Sequence, residues 1–85
     1  MEIFDLREKL SALEHKRWLD WSVNLTKTEK VTRPTIERWK TMWISYYNLD
    51  EEHKEKNRFW ADRILKLLVD EGVLPKHTLD SLDKV

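Results

Sequence analysis

Apolar residues recur at three- and four-residue intervals along most of this chain, the period of an amphipathic α-helix. Between Asp50 and Gly72 the pattern is clearest: Trp60, Ile64, Leu67 and Leu68 form a stripe, and Ala61 and Leu65 widen it. Asp50 is an N-cap residue, and Glu51 and Glu52 follow at the positive end of the helix dipole. Gly72 supplies a left-handed stop, with Pro75 blocking a restart. One helix of about five turns is predicted there. An opening helix is predicted from Asp5 to Asn24 or Leu25, with Ile3, Leu6, Leu10, Leu13, Trp21 and Leu25 on one face and Trp18 at its margin. Glu14 and Arg17 fall in or beside that arc and need partners, in each other or on another helix. Ala12, Leu19 and Val23 form a smaller second patch, read as clamped by neighbours or as an oligomer contact. The polar run from Asn24 to Thr32 reads as a linker. A short helix is predicted from Arg33 or Pro34 to Trp43, capped by Thr32, with Pro34 in its first turn and Ile36, Trp39 and Trp43 on one face. An aromatic connector, Ile44 to Asn48, leads to the capped helix.

These elements predict an all-α, compact three-helix domain. Two long antiparallel helices pack together, and the short Trp-bearing helix closes the open side. Residues 1–75 form the single domain, and 76–85 a partly ordered tail. The expected core is Leu6, Leu10, Leu13, Trp18, Trp21, Trp39, Trp43, Leu49, Trp60, Ile64 and Leu68.

Composition narrows the function classes. With 85 residues and no cysteine, the chain has neither a disulfide frame nor a thiolate metal site to supplement its core. Five tryptophans are the substitute. Sixteen basic and sixteen acidic residues cancel, against the net positive field that a general nucleic-acid binder needs. Lys27, Lys30, Arg33, Arg38 and Lys40 do cluster around Trp39, but Glu29 and Glu37 interrupt them, which reads as a solvated helix face. No apolar run is long enough to span a membrane and no signal peptide is seen, so a cytoplasmic home is expected.

Candidate chemistry is sparse. His15, His53 and His77 lack metal-ligand spacing, and no metal or other cofactor is expected. No nucleophile elbow, glycine loop or carboxylate pair is visible, so the chain is read as no enzyme. Two constellations remain. Trp18 can stack on a ligand ring while His15 donates to a phosphate or carbonyl. Alternatively Trp18 is packing and His15 bonds a carbonyl of the connector near Tyr46, the commoner role for an indole at helical spacing. Lys54 and Asn57, one turn apart, can grip an anion beside Tyr46, or Asn57 can bond backbone while Lys54 stays solvated. Glu51 and Glu52 oppose a phosphate at that helix start.

Two segments carry a family likeness. His15-Lys16-Arg17-Trp18 resembles the His-x-x-Trp signature of the ryanodine-receptor (RyR) domain family. Tyr46, Leu49, Asp50, Lys54 and Asn57 resemble its second signature, in which an aromatic and a leucine precede an acidic cap, a Lys and an Asn or Asp. The likeness covers roughly residues 10–72. The family's glycine-bearing stretch after the first helix is missing here, and Ser45 stands where a proline is common. The arrangement is similar to that of small RyR-like proteins of phages and bacteria. The resemblance implies a helical fold and a binding role, with no catalytic mechanism. The resulting expectation is a non-enzymatic module binding or sequestering a nucleotide-like small molecule. Its groove is expected between the first helix and the connector, lined by His15, Trp18, Tyr46, Tyr47 and Asn57 with Lys54 at its mouth. The alternative is a protein-interaction or homo-oligomeric module built on the Ala12/Leu19/Val23 patch with Phe4 or Phe59.

Overall fold

The computed structural model describes residues 2–83, and side chains as far as residue 80. Among these the fold is all-helical: α1 (Ile3–Thr28), α2 (Arg33–Lys40), a 3₁₀ turn (Tyr46–Asn48), α3 (Glu51–Asp70) and α4 (His77–Asp83). Helices α1 and α3 form the main pair, and α4 touches both.

Local signals set the ends of α3. The Asp50 carboxylate accepts the His53 amide at 2.9 Å. At the other end Gly72 has φ 77°, and the amides of Gly72 and Val73 return to the carbonyls of Val69 and Leu68. That bond pair is the Schellman closure that a residue free of Cβ strain permits. Pro34 lies in the first turn of α2, as the sequence predicts. Thr32 occupies the N-cap position, but its hydroxyl bonds that of Thr35 at 2.8 Å and caps no amide.

Three boundaries differ from expectation. Helix α1 runs on through Thr26, Lys27 and Thr28, where a linker is expected. The Thr26 and Thr28 hydroxyls donate back to the Val23 and Asn24 carbonyls, and no glycine or proline intervenes to stop the helix. Helix α2 ends at Lys40, and the chain turns through Met42 and Trp43. His77–Asp83, expected to be a partly ordered tail, is helical, and Thr78 is buried. Residues 84–85 of that tail lie outside the described residues.

The larger correction concerns which faces meet. Leu13, Trp21, Trp60 and Ile64, all expected in the core, are exposed, Leu13 at 64%. Leu6, Leu10, Trp18, Trp39, Trp43 and Leu68 are only half-buried, and of the expected core Leu49 alone is fully buried. The buried face of α3 is instead Ala61, Leu65 and Val69, and that of α1 is Ser11, His15 and Ser22. On each helix the seam is centred about one residue, or roughly 100°, away from the amphipathic stripe.

Charged groups explain the rotation. Arg7 forms a bidentate pair with Asp62, with Nε at 2.7 Å and Nη2 at 2.9 Å. Arg58 reaches Glu8 with Nε at 3.1 Å from Oε1. Both pairs cross between α1 and α3, so a stripe-to-stripe packing would break them. Glu14 and Arg17 satisfy each other at 2.6 Å.

Along α1 the seam is shared. Arg7 and Glu8 meet α3, while His15, Trp18 and Ser22 meet the α2 segment. Trp43 Nε1 donates to the Ser22 hydroxyl at 2.9 Å, and that hydroxyl donates to the Leu19 carbonyl at 3.1 Å.

Candidate functional site

His15 is the hinge of the site. It is buried, and its Nε2 donates to the Ile44 carbonyl at 2.9 Å. This is the structural role weighed for it above, tying the connector to α1. Its ring stacks on Trp18, with centroids 5.8 Å apart and planes 22° apart. Trp39 of α2 then meets Trp18 edge-on at 6.2 Å and Trp21 at 5.9 Å. An indole cluster thus joins α1 to α2.

Between this cluster and the first turns of α3 lies a cleft of about 590 Å³. His15, Trp18, Trp39 and Asn57 line it, with the cations Arg38 and Lys56. Arg38 makes no ion pair among the described residues. The Asn57 amide donates to the His53 carbonyl at 3.1 Å, within its own helix, so Nδ2 is committed to the protein.

Three of the six expected ligand residues, His15, Trp18 and Asn57, share this cleft; the other three lie elsewhere. Tyr46 is buried, and beside it a second, smaller cleft of about 370 Å³ opens on the other side of His15. The expected single groove is therefore two clefts that share His15 in their walls. Tyr47 is exposed and packs edge-on against Tyr46 at 5.3 Å. Lys54 holds Nζ 5.9 Å from the Tyr46 ring centre and 3.8 Å from Glu51, away from the larger cleft.

Tyr46 belongs to a polar network. Its hydroxyl donates to Glu8, which also accepts from Arg58, and Arg58 Nη1 reaches Glu51 at 2.9 Å and Glu55 at 2.6 Å. Burial, aided by the bond to Glu8, pushes the Tyr46 phenol up to about 12. Burial alone would raise Glu8, but the bonds from Arg58 and Tyr46 outweigh it and hold the carboxyl below its ordinary range. The Glu8 bond, against some cost of burial, raises the Arg58 guanidinium, as Asp62 does Arg7. Nothing local in the sequence marks this network, because Glu8 and Arg58 are 50 residues apart. In the sequence Arg38 stands only within a broken basic run around Trp39, and nothing local marks Lys56 as its neighbour.

No family model matches the chain, and no curated protein or solved structure is significantly similar to it. Among the described residues no group of three or more His, Cys, Asp or Glu is placed to hold a metal ion. No helix among them is long and apolar enough to cross a membrane.

Proposed function

We propose that this chain is a non-enzymatic binding module, and that the cleft between α1, α2 and α3 takes a small nucleotide-like molecule, a planar ring bearing negative charge. One observation carries the reading: two indoles in edge-on contact, Trp18 and Trp39, share a cleft of about 590 Å³ with the cations Arg38 and Lys56. That volume is in the range of small-molecule sites, which combine apolar walls with a few polar groups. An aromatic face receives a ring, and a guanidinium with no carboxylate partner is free to form charge-assisted bonds to a phosphate. The residues that resemble the RyR signatures support the same reading by analogy. With that likeness go a cytoplasmic setting and a kinship with small phage and bacterial proteins.

Titration with a panel of nucleoside mono- and diphosphates, followed by thermal shift and calorimetry, tests the proposal. Stabilisation by at least one member is expected, with Arg38→Ala weakening it about tenfold, the loss of one charge-assisted contact of roughly 1.4 kcal/mol. No stabilisation by any member at millimolar concentration rejects it.

A further inference from the structure

The amphipathic stripes that the helices do not bury against each other remain to be accounted for. On α1 the stripe is Leu6, Leu10 and Leu13, and on α3 it is Trp60, Ile64 and Leu67. Both stripes lie on the same side of the pair. Leu10 precedes the seam residue Ser11, and Ile64 precedes the seam residue Leu65, so each stripe turns from its seam in the same rotational sense. For antiparallel helices that sense leads to one common side. The cleft agrees with this placement, since Trp39 packs on Trp18 and Trp21 and lines the same cleft as His53 and Asn57 of α3. Leu13, Trp60, Ile64 and Leu67 are exposed at 64, 49, 37 and 57%. One apolar face therefore spans both long helices, beginning where the cleft ends.

The chain as a whole also exposes more surface than a compact fold of its mass. A folded monomer of 10.4 kDa is expected to expose about 5,400 Å². This chain exposes 6367 Å². The excess, about 1,000 Å², is close to the roughly 800 Å² per partner that a standard stable interface buries.

We propose that a second copy of this chain covers the face, two α1/α3 pairs stacking through Leu6, Leu10, Leu13, Trp60, Ile64 and Leu67 into a four-helix core. Where Leu13, Trp60, Ile64 and Leu67 stay exposed the α1/α3 pair has no second layer over it, and an identical pair supplies one with matching chemistry. A two-fold contact sets the same patch against itself. The zero formal charge of the chain leaves no net repulsion between copies. The surface differs from the Ala12/Leu19/Val23 patch expected from sequence, of which Ala12 and Leu19 line the smaller cleft against the connector. This inference stands apart from the ligand proposal, and neither result decides the other.

Sedimentation equilibrium and light scattering of the full chain provide the test, with Leu13→Glu and Leu67→Glu as variants at exposed positions that the monomer fold does not need. The wild-type chain is expected at twice 10.4 kDa, and each variant at 10.4 kDa with helical dichroism unchanged. A wild-type chain that stays monomeric at millimolar concentration overturns the proposal. So does a dimer that both variants leave intact. Without any variant, the wild-type methyl groups of Leu13, Ile64 and Leu67 are expected to be shielded from a soluble paramagnetic probe, and full accessibility at millimolar chain also overturns it.

Discussion

Arg58 is the charged centre of the α1–α3 seam. Its guanidinium ties Glu8 of α1 to Glu51 and Glu55 of its own helix, and Glu8 in turn accepts the Tyr46 hydroxyl. Removing one partner of a buried pair costs about 3–5 kcal/mol. Solvent reaches the Glu8 end, so Arg58→Ala is expected to cost about 2 kcal/mol, read from the urea midpoint. Protonation adds two signatures. The lowered Glu8 carboxyl contributes stability above the ordinary carboxylate range, and this is lost as pH falls through its folded-state value. The raised Tyr46 phenol contributes stability below pH 10, lost as pH climbs toward about 12. Tyr46→Phe is expected to flatten the alkaline limb of a stability–pH profile, and Glu8→Gln the acid limb. An alkaline limb identical in Tyr46→Phe and wild type would refute the assignment.

At the scale of elements, helix ends and helix faces obey different rules. Gly72 closes α3 at φ 77° with open space around the missing Cβ, so the backbone angle alone sets the cost of a side chain. Gly72→Ala is expected to destabilise by about 1 kcal/mol, measured by chemical unfolding. Such ends were legible in the sequence because Asp50, Pro34 and Gly72 each act within a few residues. The all-helical class was legible too, from periodicity. The facing of the helices was not. Periodicity shows which residues share a side, as Trp60, Ile64 and Leu67 do, but not which side meets the neighbouring helix. That choice was made by Arg7–Asp62 and Glu8–Arg58, pairs that are 55 and 50 residues apart. For the site, His15, Trp18 and Asn57 were marked by the signatures they resemble, whereas Arg38 of α2 and Lys56 of α3 join them only once both helices have packed beside α1.

The whole molecule is long and thin, 46 × 24 × 17 Å, with a radius of gyration of 15.4 Å. A globule of this length is expected near 12 Å. A core whose fully buried apolar residues, among those described, are Tyr46, Leu49, Ala61, Leu65 and Val69 is small for such a shape. Association through the Leu13/Trp60 face would add to it, and stability would then depend on concentration by mass action. The melting temperature of the wild-type chain is expected to rise with protein concentration, while that of Leu13→Glu stays fixed. Concentration-independent melting of both chains would contradict the shared face.

The contact of Trp39 with Trp18 and Trp21 gives the fold a built-in optical label. Indoles 5.9–6.2 Å apart exchange excitation, so their electronic transitions couple and split. An exciton couplet should therefore overlie the far-ultraviolet helical bands, and its loss would report α2 lifting from α1 before either long helix unwinds.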